Sequence, residues 1–410
     1  MAETVTPSNE WGSEQRSRRV NAFHAPYRRI IADFTSREKA LEDLAESFPA
    51  LLFALATGYG PLEPRTAATA MVLAGRSLRE AAAMAGLPLW MKRLPPGAFM
   101  RPLLPVPNVP SLASLLGSSL TRNAQMAAIW LDRLLLAHAI AGVPAAEWMA
   151  RTGMRMHAHE TSCPLPSLMA WIWASANRAT ELGALIEQPW HPTLSSGQCV
   201  ERATAWRRHI DLACAIPHRI GDAWVKEGPC GEFEVRALRT PRDIIKAARD
   251  LDNCLVTWGD RIGYSCSRVF ALCRNGVTVA AFEIVHDSDD PPVPRLSQIL
   301  GYSNRQVSTE IRNTVLAWLG EQAFRRYDTQ PISPALQLAR QDELLRPFFQ
   351  QLLQIPGCDA ELVERFRREL RRDPPTERMR RQIEYERRLL NEFTIRRQAY
   401  LNLRQLLRPT

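Results

Sequence analysis

The segment "LDNCLVTWGDRIGYSCSRVFALCRNGVTVAAFEIV", residues 251–285, places a thiol, a guanidinium group and a carboxylate within apolar patterns. These groups belong to Cys254, Arg268 and Glu283. A cysteine becomes a nucleophile when its pKa is lowered, and a carboxylate can act as a general acid or base. The three residues are therefore the candidate catalytic residues of the chain.

Asn275 and Gly276 separate two apolar segments, "SRVFALCR" and "VTVAAFEIVH", and this dipeptide is the two-residue signal for a type I′ hairpin. A two-residue loop fixes the register, and an uninterrupted ladder then places Arg268 directly opposite Glu283. The next strand, "RLSQIL", can bring Gln298 beside Glu283, although its longer loop allows several registers. The sequence thus predicts a polar row across three strands.

Two interpretations of this row remain open. Opposed charges stabilise a sheet by about 0.2 to 1 kcal/mol, so Arg268 and Glu283 can be a structural ion pair. The polar groups can instead converge on an apolar floor and form a small pocket. Cys254 falls late in a predicted helix, where the dipole disfavours a thiolate, and this favours a buried structural cysteine over a nucleophile. Cys266 and Cys273 are expected in the core.

The helices and strands that position these groups are predicted from the change in hydrophobic periodicity along the chain. Residues 21–228 show helical periodicity broken by Pro and Gly clusters, as around Gly75 and Gly86. Residues 229–328 give the order β-α-β-β-β-α, and their helix begins with Thr240 as N-cap and Asp243. We therefore predict an α+β fold, a mostly helical chain with a small central antiparallel sheet flanked by helical N- and C-terminal regions. Residues 1–20 are expected to be a disordered polar N-terminus, and 329–410 a basic helical region.

Residues 233–319 resemble the PcfJ-like family, whose members occur on conjugative plasmids, phages and other mobile genetic elements. The shared residues keep their order and spacing: Cys254, Val256, Gly263, Ser267, Arg274, Glu283, Gln298, Gly301 and Asn304. "GLPLWMKRLPPGAF" is similar to the family's N-terminal part. The chain has Asn253 where the family has a histidine, and Leu255 stands between Cys254 and Val256. The resemblance implies an accessory protein of a mobile element, without a defined activity and without that histidine as a base. Substrate or partner binding is expected at Ser267, Arg274, Gln298 and Asn304.

The chain of 410 residues carries a net charge of +9, and its basic excess is concentrated near one end. Residues 361–410 contain 14 arginines and 8 acidic residues, a net +6. Such arginines can contact the phosphates of DNA or RNA. Interleaved glutamates are also typical of a solvated, salt-bridged helix, which the pattern favours over phosphate contacts. The candidate nucleic-acid contacts are Arg367, Arg368, Arg371, Arg372, Arg380, Arg381, Arg387 and Arg388.

Several classes of function lack their sequence signals. The chain has no Walker loop, no GxGxxG and no GxSxG motif. Its eight cysteines contain no CxxC pair. His157 and His159 lie beside Glu160, but two histidines two residues apart share a face only on a strand, and this segment has the pattern of a helix end or loop, so we expect no metal and no cofactor. The first twenty residues are polar, and apolar runs fall short of the roughly twenty residues of a membrane span. These patterns favour a cytoplasmic protein without a membrane partner.

Three functional hypotheses follow. The first is a nucleic-acid-associated accessory protein of a mobile element, which contacts DNA or RNA through its basic tail, and other proteins of that element. The second is an enzyme whose site comprises Arg268, Glu283, Gln298 and Asn304. The third is a purely protein-binding module. The environment of Glu283 separates the first two, because a structural carboxylate is buried and paired whereas a catalytic one opens into a cleft.

Overall fold

The structure, a computed structural model, describes residues 18–36, 38–116, 123–152, 164–216, 220–221, 223–263, 267–286, 294–322 and 333–371. The chain forms two compact units. The described residues up to Thr204 and Arg346–Leu370 belong to the first unit, whereas those of Ala205–Leu345 and Arg371 belong to the second. Residues 18–21 are helical and Val20 is buried, which corrects the prediction of disorder for residues 18–20, while residues 1–17 lie outside the described residues.

Eleven named helices precede the sheet among the described residues. Their bounds are α1 Ala25–Thr35, α2 Lys39–Glu42, α3 Leu44–Ser47, α4 Pro49–Thr57, α5 Leu62–Leu73, α6 Leu78–Met84, α7 Leu112–Leu115, α8 Ala124–Thr152, α9 Leu165–Ala176, α10 Glu181–Ala184 and α11 Ser196–Ala215. Short 3₁₀ turns span Leu89–Arg93 and Pro96–Ala98. The predicted break between α5 and α6 is confirmed, because Gly75 adopts a φ of 64° and Ser77 caps α6 by accepting a hydrogen bond from the amide of Arg79.

Large aromatic side chains fill the core of the first unit. Trp130, Trp148 and Trp171 are fully buried. Phe53 stacks on Phe99 with ring centroids 5.1 Å apart. These rings remove large apolar areas from water, and such burial is the main favourable contribution to folding.

Helix α8 is the one described helix long and apolar enough to cross a bilayer. More than half of its most apolar window, 56%, is buried inside the protein. The backbone leaves the helical conformation at Ala141 and Gly142, where Gly142 has a φ of 75°, and Pro144 follows. Each of the two parts of α8 is therefore shorter than the roughly twenty residues that a spanning helix requires.

Among the described residues the second unit contains an open antiparallel sheet of five strands: β1 Gly228–Cys230, β2 Phe233–Ala237, β3 Ser267–Arg274, β4 Val277–His286 and β5 Pro294–Leu300. The strands lie side by side in chain order, β1-β2-β3-β4-β5. The remaining helices of the chain are α12 Pro241–Leu251, α13 Gly259–Gly263, α14 Thr309–Gly320, α15 Pro334–Gln354 and α16 Ala360–Leu370. The predicted α+β class, mostly helical with a small antiparallel sheet, is confirmed. Strand β1 was not predicted, because three residues that include Gly and Pro carry little strand signal.

Helix α12 begins as predicted and ends earlier than predicted. Thr240 accepts a hydrogen bond from the amide of Asp243, and the Asp243 carboxylate accepts one in return, which completes a capping box. The predicted helix includes Cys254, but the helix stops at Leu251 because Asp252 takes the left-handed conformation with a φ of 47°. A 3₁₀ turn, Leu255–Trp258, and then α13 continue the chain.

The two faces of the sheet pack against different helices. On one face Phe270 and Phe282 stack, and Trp318 from α14 meets both rings. Helix α12 packs on β4, and none of its buried residues belongs to that aromatic cluster. Helix α12 therefore covers the second face, which carries Glu283.

The compact units divide the chain at places other than the sequence boundaries 228/229 and 328/329. The last turns of α11 belong with the sheet, because Gly263 in α13 packs directly against the backbone of Ala215. Helix α16 belongs with the first unit, where Phe348 of α15 contacts both Trp173 and Phe366. Both regions are helical, so periodicity alone does not show which core each of them joins.

Candidate functional site

The β3–β4 hairpin has the predicted turn but a different register. Asn275 and Gly276 have φ values of 52° and 80°, as a type I′ turn requires. A β-bulge then interrupts the ladder, because Cys273 pairs with Thr278 whereas Leu272 pairs with Ala280. Val279 is the extra residue of β4, and one extra residue exchanges the faces of all side chains beyond it.

The predicted pairing of Arg268 with Glu283 is therefore wrong. Arg268 lies opposite Ile284, and Glu283 lies opposite Val269. The guanidinium of Arg268 is buried, lies 4.4 Å from the ring centroid of Trp224 and donates a hydrogen bond to the carbonyl of Ser267 at 2.9 Å. Arg268 thus stabilises the edge of the aromatic face and does not contribute to a site with Glu283.

The expected proximity of Gln298 and Glu283 is confirmed. The two residues are paired across β4 and β5, and the Gln298 side-chain amide donates to Glu283 Oε2 at 3.1 Å. A second bulge follows directly, since Ile284 pairs with Leu296 and leaves Ser297 as the extra residue of β5. Bulges beside a site commonly redirect its side chains, and this one fixes the position of Gln298.

Arg261 is the ionic partner of Glu283. Its Nη2 lies 3.1 Å from Glu283 Oε2, and its guanidinium lies 6.0 Å from the ring of Trp258. The side chain of Glu283 is fully buried, whereas that of Arg261 retains 27% of its surface exposed. Arg261 was not predicted as a site residue, because its segment has neither a strand pattern nor a long helical pattern that would indicate which face of the sheet it contacts.

Two buried oxygens on this face have no hydrogen-bond partner among the described residues: Glu283 Oε1 and Ser267 Oγ. Ser267 pairs with Val285, so it occupies the same face as Glu283 on the neighbouring strand, one diagonal step away. An unsatisfied buried oxygen costs about 1 to 3 kcal/mol. Chemically, the pair can accept hydrogen bonds from an N–H or O–H group.

The residues around Cys254 form a separate, more exposed group. The backbone amide of Cys254 donates to Asn304 Oδ1 at 3.3 Å, and Ser303 Oγ donates to the Asp252 carboxylate at 3.0 Å. Asn253 accepts a hydrogen bond from the amide of Leu255 at 3.2 Å. These contacts attach the end of α12 to the turn after β5, so Asn253 and Asn304 have structural roles here.

The thiol of Cys254 is exposed, which corrects the expectation of a buried cysteine. The physical reason is the early end of α12, since Cys254 lies in the loop and not on the apolar stripe. Cys273 is buried, as expected, and Cys266 lies outside the described residues.

Arg274 is remote from Glu283. It lies at the far end of β3, about 23 Å from Ser267 at roughly 3.3 Å per residue, where it pairs with Glu232 and lies 4.6 Å from the ring centroid of Phe233. The structure therefore brings together Glu283 and Gln298, and separately Cys254 and Asn304, while Arg268 and Arg274 lie elsewhere.

The described part of the arginine-rich region is an amphipathic helix. One face of α16 is buried through Leu362, Val363, Phe366 and Leu370. Arg367 pairs with Glu364 at 3.3 Å, Arg371 lies 3.9 Å from Asp342, and Arg368 is exposed. The other predicted phosphate contacts lie outside the described residues: Arg372, Arg380, Arg381, Arg387 and Arg388.

No cluster of three His, Cys, Asp or Glu side chains suited to a metal occurs within the part of the chain that the structure describes. His157, His159 and Glu160 lie outside that part. The fold and site define an α+β unit whose buried carboxylate is held by an arginine and a glutamine. Comparison of the chain with protein-family models, curated proteins and solved structures finds no match.

Proposed function

We propose that this protein is a nucleic-acid-associated recognition protein and that its sheet-containing unit is the recognition module. The observation that carries the choice is the environment of Glu283, which is fully buried and paired with Arg261 and Gln298. A general acid or base has to reach the proton it transfers. A carboxylate held in this way suits a structural role in a binding module better than catalysis.

A line of cations on the outer face of α12 supports a polyanionic partner. Arg242, Lys246 and Arg249 follow one another at four- and three-residue spacing, so they project from one side of the helix over about 10 Å. All three are exposed, and the apolar side of α12 faces the sheet. Arg242 and Lys246 have no ion-pair partner among the described residues, whereas Arg249 pairs with Asp250 at 3.2 Å. We call this line the α12 face.

The α12 face lies beside the end of the helix, where the exposed residues Cys254 and Asn304 are in contact. An exposed amide next to cations can add hydrogen bonds to bases or to phosphate oxygens. Three cations and their neighbours are few for tight binding, and the net charge of +9 adds a long-range attraction for polyanions.

We further propose that the protein is a PcfJ-like accessory protein of a mobile genetic element, acting in the cytoplasm. The support is the order and spacing of the shared residues from Cys254 to Asn304. The contacts between Cys254 and Asn304, and between Glu283 and Gln298, give four of those residues a common role in holding one unit together.

The direct test is fluorescence anisotropy with single-stranded DNA, single-stranded RNA and duplex DNA of about twenty nucleotides or base pairs, at about 50 and 200 mM salt. We expect the triple variant Arg242→Gln, Lys246→Gln, Arg249→Gln to bind more weakly at the lower salt. Its slope of log affinity against log salt on duplex should flatten by about 0.9 for each phosphate that the variant no longer neutralises.

The matched control carries the same change of charge on the first unit, at exposed residues outside the α12 face: Arg76→Gln, Arg79→Gln and Lys92→Gln. If nucleic-acid binding weakens equally in both triple variants, the effect is one of general charge, and the α12 face is refuted as a specific binding surface. Absence of binding to all three nucleic acids would refute the function itself and would favour the protein-binding alternative.

An enzymatic or small-ligand site is the second candidate, and one observation favours it. Glu283 Oε1 and Ser267 Oγ are buried on one face without hydrogen-bond partners among the described residues. A small ligand with two donor groups would satisfy both oxygens. Ser267→Ala separates the candidates, because it removes one acceptor without touching the α12 face, and nucleic-acid affinity should then stay unchanged.

A further inference from the structure

The first unit contains a cavity of about 630 Å³ that is distinct from the sheet. Its walls are mainly apolar and come from the segment before α7, from α8 and from the start of α9, with side chains that include Phe99, Leu104, Ala128, Leu131, Leu135 and Leu165. Pockets that hold small molecules typically enclose about 300 to 1,000 Å³, with apolar walls and a few polar groups. This cavity has both the size and the lining of a ligand site.

Five charged side chains also line this mainly apolar cavity. Asp132 and Arg133 enter it from α8, Arg101 from the preceding segment, and Arg365 and Glu369 from α16. Asp132 Oδ1 lies 2.8 Å from Nε of Arg101. That oxygen is buried, and the contact is an ion pair without hydrogen-bond geometry to any described residue. The cluster therefore contains a buried polar atom that is incompletely satisfied.

The net charge of the side chains that line the cavity indicates the charge of its ligand. Three guanidinium groups face two carboxylates, so the lining carries a net charge of +1 when all groups are ionised. Burial raises the pKa of Asp132 above its usual value, although Arg101, Arg365 and Arg133 act to lower it. Protonation of Asp132 would make the lining more positive still. A cationic ligand would be repelled by the three arginines.

Arg365 is the cation best placed to meet a ligand. It is partly exposed and lies on the side of α16 that lines the cavity. No ion-pair partner of Arg365 occurs among the described residues, whereas Arg101 already pairs with Asp132. A planar guanidinium with free donors suits a carboxylate, which it can bind through two parallel hydrogen bonds.

We propose that this cavity binds an amphipathic organic anion, with the carboxylate group at Arg365 and Arg101 and the apolar body between α8 and α9. The apolar walls exclude sugars and nucleotides, whose many hydroxyl and phosphate groups need more donors than the lining offers. This site is independent of the α12 face, so either proposal can fail without the other.

The test is isothermal titration calorimetry of the full chain with decanoate, and with decyltrimethylammonium as a probe of equal chain length and opposite charge. We expect decanoate to bind and decyltrimethylammonium to bind at least tenfold more weakly. Equal binding of the two probes would overturn the charge assignment. Absence of decanoate binding to a correctly folded chain would overturn the site.

The matched variants are Arg365→Gln and Arg368→Gln, which remove the same charge from the same helix. Arg365 lines the cavity, whereas Arg368 is exposed and does not line it. We expect decanoate affinity to fall about tenfold in Arg365→Gln and to stay unchanged in Arg368→Gln. Similar affinities in the two variants would refute the role of Arg365. Thermal melting of both variants checks that neither loss comes from unfolding.

Discussion

Arg268 and Glu283 lie on opposite faces of the sheet, on adjacent strands and one residue out of register with each other. Each has its own partner: the ring of Trp224 for Arg268 and the guanidinium of Arg261 for Glu283. The two charges therefore do not form a pair that can be removed together, and each substitution acts on its own face.

Glu283→Gln keeps the shape of the side chain and removes the charge that faces Arg261. We expect the free energy of unfolding to fall by about 2 kcal/mol, less than for a fully buried pair, because Arg261 is partly exposed and can turn toward water. Urea unfolding measures this loss. Glu234→Gln is the control, since its pair with Arg236 is half-exposed on both sides and should change the stability far less than Glu283→Gln. Unchanged stability of Glu283→Gln would contradict a structural carboxylate.

The register of the hairpin can be checked with engineered disulfides. Ala271 lies opposite Ala281 in the structure, whereas a ladder without the bulge would place it opposite Ala280. Opposed residues have Cα atoms about 4.5 to 5.5 Å apart, within the range that a disulfide spans. We expect the pair Ala271→Cys and Ala281→Cys to crosslink on oxidation, and the pair Ala271→Cys and Ala280→Cys to remain reduced. Peptide mapping by mass spectrometry distinguishes the two outcomes, and the reverse result would restore the uninterrupted ladder.

Gly263→Ala tests how α13 is held in place. A Cβ atom on Gly263 would overlap the carbonyl oxygen of Ala215, which is backbone and cannot move away alone. We expect a loss of about 3 kcal/mol in the free energy of unfolding, because this overpacking has to displace α11 or α13. Gly320→Ala is the matched control, since nothing lies within 4 Å of its Cβ position. Equal melting temperatures of the two variants would contradict the tight packing.

Asp132 gives a prediction about pH. Burial raises its pKa above the ordinary value of 3.8, so the folded protein favours the protonated carboxyl group. The stability that the protonated Asp132 contributes is therefore complete when the pH is below 3.8 and is lost as the pH rises through the raised pKa of the folded protein. Asp132→Asn should therefore be more stable than the wild type at pH 7, and this advantage should shrink as the pH approaches 4. Urea unfolding at several pH values measures it, and a less stable variant at pH 7 would show that the ion pair with Arg101 dominates.

Local patterns predicted much of the fold. Thr240 and Asp243 located the start of α12, and Asn275-Gly276 located the hairpin, because capping and turn geometry depend on a few neighbouring residues. The bulge at Val279 has no such marker. Strand β4 contains no glycine that would mark a bulge. Only the packing of the sheet against the helices on its two faces selects which residue is left unpaired.

The candidate site was predicted in part for the same reason. Gln298 was predicted correctly beside Glu283, since one of the registers that the loop allows pairs the two residues. Arg268 was predicted on the wrong face, because the bulge shifts the register of the hairpin by one residue. Arg261 and the cavity around Asp132 depend on contacts between segments distant in sequence. Periodicity identifies the buried side of a helix but not the group that it meets.

The bulge at Val279 also bears on how this hairpin tolerates changes of length. Strand β4 carries one residue more than a regular ladder needs, so the removal of any single residue between Val277 and Ala280 would restore even pairing. Glu283 would still lie opposite Val269. A deletion from β3 would instead widen the mismatch to two residues. In evolutionary terms, a deletion of one codon in the segment after the turn would keep the Glu283 carboxylate on the same face of the sheet.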